Sequence, residues 1–215
     1  MIISHGRKYI FVHIPKTGGT ALTLALEGRV GKDDILIGDT PKAVRRRRRL
    51  QGVQASGRLW KHSRLADIYG LVTQEQIEDY FTFTLVRNPW DRLASYYHWL
   101  RVQSFDHPAV RLAQRLDFSG FLNDEHTRRT VRTGSYRQFM YDKAGMERCD
   151  LYIRLEHLQQ DLAPLEQHLG FSLGQIPVVN RSSRDADYRS YYSDADAGVL
   201  AEICAGDIAR FGYRF

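Results

Sequence analysis

Apolar positions in this chain fall into short β-branched or aromatic runs, separated by stretches with helical spacing. Tyr9 to Ile14 and Tyr80 to Val86 are strand-like runs, of the length and composition expected for buried strands. Each passes into a helical pattern almost at once. After the first run, Thr20-Ala-Leu-Thr-Leu-Ala-Leu26 continues as helix. After the second, Leu93, Tyr96, Tyr97 and Leu100 recur at helical spacing behind Pro89 and Asp91, residues suited to a first helical turn. Pro108 to Arg137 reads as helical, with loops near Asp117 and Gly134. Leu158, Leu162, Leu165 and Leu169 mark another helical face, which Pro164 must break or restart. Leu200, Ile203, Ile208 and Phe211 predict a last helix, and residues 27 to 58 an irregular or helical excursion. Strands alternating with helices predict an α/β fold with a central parallel sheet, its ligand at the strands' carboxyl ends. No repeat or low-complexity linker interrupts the chain, so residues 1–215 are expected to form one domain.

Candidate chemistry stands at the ends of both strands. The first runs into Pro15-Lys-Thr-Gly-Gly-Thr20. Gly18 and Gly19 leave room for backbone to approach a ligand. The following helix start offers unpaired N–H groups and the positive end of its dipole, and Lys16 adds a full charge. That combination suits a phosphate or a sulfate. It is not a Walker A loop, in which the lysine follows the second glycine: here Lys16 precedes the Gly18-Gly19 pair, and position 13 is His13. An ordinary kinase or GTPase is thereby disfavoured. The second strand ends in Arg87-Asn-Pro-Trp-Asp-Arg-Leu-Ala-Ser-Tyr96. Arg87 sits at the strand's carboxyl end and Ser95 about two turns into the next helix, an arginine fork and a hydroxyl able to hold a phosphate. Taken singly, the first segment also reads as a strand-to-helix turn with an incidental lysine, and the second as a helix cap with a surface ion pair.

Length and composition narrow the class. A chain of 215 residues with 43% hydrophobic content can bury a sizeable core. No run of roughly 18 apolar residues is present, so no transmembrane helix is expected, and the amino terminus lacks a signal-peptide layout. Two cysteines, Cys149 and Cys204, allow a single disulfide but better suit reduced thiols of the cytoplasm, and no Cys/His cluster has zinc spacing. The net charge of +6 favours anionic ligands. Charge concentrates at Arg45 to Arg49 behind Lys42, which reads as a solvated face or as a handle for an acidic polysaccharide. Nucleic acid ranks third, because no aromatics interleave the run and no reading motif accompanies it.

The two strand-end segments together resemble the sulfotransferases that use 3′-phosphoadenosine 5′-phosphosulfate (PAPS). In that family a P-K-[TS]-G-[GST]-[TS] turn cradles the 5′-phosphosulfate and a later R-[DN]-P-x-x-R-x-x-S-x-Y segment holds the 3′-phosphate. The likeness is to the Golgi-type carbohydrate branch (sulfotransferase family 2) and its soluble bacterial relatives. Tyr152 to Leu162, Asn180-Arg-Ser-Ser, Tyr188 to Tyr192 and Asp207 to Tyr213 extend it weakly. The resemblance implies a P-loop-like three-layer α/β/α fold and transfer of a sulfuryl group to an acceptor hydroxyl, with a carbohydrate or glycoconjugate as acceptor. It implies PAPS as donor, adenosine 3′,5′-bisphosphate as product, and no metal. The chain departs from the Golgi enzymes, which carry a membrane anchor, and that departure favours a cytoplasmic location. Lys16, Thr17, Gly18, Gly19, Thr20 and Ala21 would bind the phosphosulfate through the lysine charge, backbone N–H groups and threonine hydroxyls. Arg87 and Ser95 would fix the 3′-phosphate, Arg92 would tie its helix to neighbouring structure, and Ser182, Ser183 and Arg184 would close over the donor.

Sulfuryl transfer asks for a base at the acceptor hydroxyl, and histidine suits it because its pKa lies near neutrality. His62, in Leu59-Trp-Lys-His-Ser63, lies between the two motifs, where uronyl-sulfating members carry their catalytic histidine. It is the expected base, with Lys16 stabilising the leaving oxygen; a structural histidine beside Trp60 is the plainer reading. His13 is next to the loop but is expected to pack on the Phe11 face or supply an orienting hydrogen bond. His98 reads as bordering the site or as surface, and His157 as structural. Glu156 and Asp161 are alternative carboxylate bases. Two other classes stay open: a non-catalytic polyanion-binding module on the same fold, and an ATP-dependent phosphotransferase.

Overall fold

The computed structural model describes residues 1–176, 179 and 184–215. In chain order the strands are β1 (Ile2–Ser4), β2 (Tyr9–Val12), β3 (Ile35–Leu36), β4 (Phe81–Val86) and β5 (Leu151–Arg154). The helices are α1 (Gly19–Glu27), α2 (Pro41–Arg46), α3 (Gln74–Asp79), α4 (Pro89–Arg101), α5 (Pro108–Arg115), α6 (Phe118–Asn123), α7 (Glu125–Thr133), α8 (Tyr136–Phe139), α9 (Leu158–Asp161), α10 (Ala163–Leu169), α11 (Asp194–Ile203) and α12 (Ala205–Phe211). They divide into two compact units, Met1–Val86 with Tyr136–Val179 and Arg87–Ser135 with Asn180–Phe215.

The first unit carries the sheet, in the order β3-β1-β2-β4-β5. β2, β4 and β5 pair in parallel, with Phe11 opposite Phe83 and Phe83 opposite Leu151. This is the parallel centre that the run pattern predicts. β1 extends it antiparallel to both β2 and β3, an addition that strands of three and two residues are too short to announce by periodicity. One sheet face (Ile2, Tyr9, Phe11, Phe83, Leu85 and Ile153) packs with Leu22 and Leu26 of α1 and with Leu162, Leu165 and Leu169. Burying each such leucine contributes about 1.5–3 kcal/mol, which is why α1 is held with its start at the end of β2. Pro164 restarts the helix, so Leu158 to Leu169 is split into α9 and α10. Thr84 locks β4 to the last residue of β2 by donating its hydroxyl to the Val12 carbonyl at 2.7 Å.

The second unit is helical. Trp90, Leu93, Ala94, Tyr97 and Leu100 of α4 pack with residues of α5, α6 and α11. Asn88 caps α4, accepting from the Trp90 amide at 3.1 Å, and its amide donates to the Arg214 carbonyl at 2.9 Å. The region expected to form one last helix forms two, α11 and α12, separated at Cys204. No helix among the described residues is long and apolar enough to cross a membrane.

Candidate active site

The β2–α1 connection is built from the strand outward. Ile14 is buried, and the wholly buried Thr17 donates its hydroxyl to the Ile14 carbonyl at 2.9 Å, closing the loop on itself. Lys16 (φ 65°) and Gly18 (φ 84°) both sit in the left-handed region, a conformation uncommon for a residue with a side chain. Gly18 is the helix N-cap, with no side-chain hydrogen bond to the first turn. The amides of Gly19 and Thr20 therefore open the helix without intrahelical acceptors. A side chain at Gly18 would meet Leu155 at 2.7 Å, and one at Gly19 would stand 2.3 Å from the His13 ring. Both glycines are demanded by close approach. Two expected donors are engaged elsewhere. The Thr17 hydroxyl serves the loop, and the Ala21 amide donates to the Gly18 carbonyl at 3.1 Å.

His13 and His62 meet beside this loop. The buried His13 ring stacks on Phe11 at 5.9 Å, on the face that strand alternation predicts, and makes a T-shaped contact with the His62 ring at 4.8 Å. His62 Nδ1 lies 2.8 Å from the His13 carbonyl oxygen. A carbonyl only accepts, so Nδ1 carries the proton and Nε2 keeps its lone pair. Burial lowers the His62 pKa from 6.5 to about 4, opposed by that hydrogen bond and assisted by the charge of Lys61. His13 is likewise held well below its ordinary value, first by burial. Both rings are neutral at neutral pH. Trp60 meets His62 edge to face at 5.0 Å, so the histidine does stand beside the tryptophan.

In the second unit, Arg87 donates from Nε to Asp91 Oδ2 at 2.8 Å, with Nη2 at 2.7 Å from the same oxygen. The other Asp91 oxygen accepts from Arg184, so one carboxylate orders two guanidinium groups. Arg92 donates to the Gly134 carbonyl at 3.0 Å, the structural tie that was expected. Ser95 is buried on α4. His98, three residues on, has a buried Nε2 without a hydrogen-bond partner among the described residues, and burial lowers its pKa. Ser182 and Ser183 lie outside the described residues, as does the Asn180-Arg-Ser-Ser likeness. Among the alternative bases, Asp161 is committed to Arg154, which holds its carboxyl below the usual range. His157 is exposed.

The sulfotransferase family model matches residues 1–172 of the chain. The chain belongs to the sulfotransferase family. In fold, this sulfotransferase is similar to the crystal structure of mouse sulfotransferase SULT7A1 complexed with PAP. The TM-score is 0.54 at 14% identity, over 96% of this chain and 86% of that one. That likeness bears on the fold: a mixed α/β architecture around a mostly parallel central sheet. No curated protein matches the chain.

Three features of the sulfotransferase escaped the sequence. The bridge from Asp91 to Arg184 joins residues far apart in the chain, although the Arg87–Asp91 half was legible as an i,i+4 pair. The left-handed backbone of Lys16 has no composition signal. The Arg45 to Arg49 run is largely an exposed face, but Arg46 donates to the carbonyls of Gly31 and Asp34, and Arg49 to that of Lys32. Among the described residues no group of His, Cys, Asp or Glu is arranged to hold a metal, and both cysteines are free thiols.

Proposed function

We propose that this sulfotransferase moves the sulfuryl group of PAPS to a hydroxyl of a carbohydrate acceptor, with His62 as general base. The observation that carries the reading is the contact series in the first unit. The His62 imidazole is fixed by the His13 carbonyl, and the His13 ring lies against Gly19 at the start of α1. Such a helix start suits an anion, and a neutral imidazole with a free Nε2 beside it suits proton abstraction.

In the proposed step the acceptor oxygen attacks sulfur as the bond from sulfur to the bridging phosphate oxygen breaks. The acceptor proton passes to His62 Nε2, and adenosine 3′,5′-bisphosphate leaves with the bridging oxygen's electron pair. Lys16, the first-turn amides and the Thr20 hydroxyl stabilise the charge that develops there. Arg87 and Ser95 take the 3′-phosphate, and on this reading residues 1–215 act as one sulfotransferase domain. A bound polyanion next to His62 raises its pKa from the low resting value toward neutrality, which strengthens it as a base. The two free thiols support a reducing, cytoplasmic setting.

The test is transfer of labelled sulfate from PAPS to fractionated cell extract, followed by identification of the labelled product. Lys16→Ala and Arg87→Ala are expected to weaken donor binding, whereas His62→Ala spares binding and removes turnover. Near-normal turnover of His62→Ala would remove the base assignment.

A further inference from the structure

Segment 58–63 stands out because it displays what a fold normally hides. Trp60 is 43% exposed, although Trp90 is buried and Trp99 half-buried. The backbone that carries it is held in a hydrogen-bonded turn. The wholly buried Ser63 puts its hydroxyl 2.8 Å from the carbonyls of both Arg58 and Trp60, and accepts from the Trp60 amide at 2.9 Å. The Ser63 amide closes the turn onto the Trp60 carbonyl at 3.0 Å. The Trp60 and His62 rings meet in a T-shaped contact, 5.0 Å between centroids at 88°. The Arg58 guanidinium lies 5.4 Å from the indole centroid and makes no ion pair among the described residues. The neighbouring Lys61, by contrast, is paired with Asp39 at 2.6 Å.

An exposed indole offers a flat apolar face to the C–H face of a sugar ring, and the Arg58 guanidinium over the ring offers a fork to an anion on that sugar. We infer that Trp60 and Arg58 form the acceptor platform and that the acceptor is a pyranose bearing an anionic group, a carboxylate or a sulfate ester. This rests on the reading of His62 as the base, since contact with His62 is what places the platform beside the reacting hydroxyl. The platform selects the ring through stacking and the charge through Arg58.

The test is an NMR titration of the ¹⁵N-labelled chain, with the Trp60 indole N–H assigned through Trp60→Phe. Three tetrasaccharides serve as probes: one of a uronic acid, one of a sulfated hexose and one of unsubstituted hexose. Saturable movement of the Trp60 signal is expected with one or both anionic probes, and which of them binds tighter tells carboxylate from sulfate. The neutral probe is expected to bind about tenfold more weakly. Trp60→Ala should weaken anionic binding by about tenfold with the rest of the spectrum unchanged. Arg58→Gln should erase the preference for the anionic probes while the neutral one still binds. A Trp60 signal unmoved by all three sugars overturns the inference, as does movement by adenosine 3′,5′-bisphosphate alone, which would give the ring to the donor. The sulfotransferase reading fails separately, if adenosine 3′,5′-bisphosphate leaves the Gly18 and Gly19 amides unshifted.

Discussion

Lowering the pH should charge His62 against its surroundings, and the size of the effect follows from the structure. Burial takes its pKa from 6.5 to about 4. The unfolded chain therefore binds the proton more readily than the folded one. Stability from this group is fully present above pH 6.5 and is lost as the pH falls from there toward 4. At about 1.4 kcal/mol per pH unit, the full loss is about 3 kcal/mol. His13, neutral for the same reason and 4.8 Å away, adds to the loss in the same direction. Two measurements check this. The Cε1–H resonance of His62, followed by NMR, should titrate with a midpoint near 4. Urea unfolding of His62→Gln should then lose less stability than the parent chain between neutral pH and pH 4, by up to about 3 kcal/mol. A midpoint between 6 and 7, near the ordinary imidazole value, would refute the claim that burial holds this ring neutral. Added adenosine 3′,5′-bisphosphate should move the midpoint upward.

Further outcomes follow from single contacts. Gly19→Ala places a methyl group 2.3 Å from the His13 ring, so it should cost about 1–3 kcal/mol and reduce turnover more than donor affinity. Gly6→Ala, which meets nothing within 4 Å, is its control in thermal unfolding. Thr17→Val keeps the volume but strips the Ile14 carbonyl of its donor in a wholly buried site, for an expected loss of about 1–3 kcal/mol in urea unfolding. Asp91→Asn removes the carboxylate shared by Arg87 and Arg184, and a loss of about 2 kcal/mol is expected, read by chemical denaturation.

What was legible in the sequence follows from the length and continuity of each signal. β2, β4, α1 and α4 were readable because their apolar runs are long and their boundary residues (Gly18 and Gly19, Asn88 and Pro89) have strong local preferences. β1 and β3 were not, since their existence depends on pairing along the sheet edge. Within the loop, residue types pointed to an anion, but which donors remain for it depends on bonds such as Thr17 to Ile14 that composition does not reveal. His62 was reached through family likeness alone. The contact with the His13 carbonyl spans 49 positions, beyond any local pattern. Trp60 was seen only as that histidine's neighbour, and its exposure came from the Ser63 turn.

The central claim is that the chain binds and uses PAPS, and its most direct measurement is binding of the spent donor. Purified protein titrated with adenosine 3′,5′-bisphosphate in the absence of divalent metal is expected to bind saturably. At ligand concentrations 100 times the dissociation constant, unfolding should show about 2.7 kcal/mol of added stability. Lys16→Ala and Arg87→Ala should each diminish that gain, and His62→Ala should keep it. No stabilisation by adenosine 3′,5′-bisphosphate, together with clear stabilisation by Mg-ATP, would contradict the account and point to phosphoryl transfer instead.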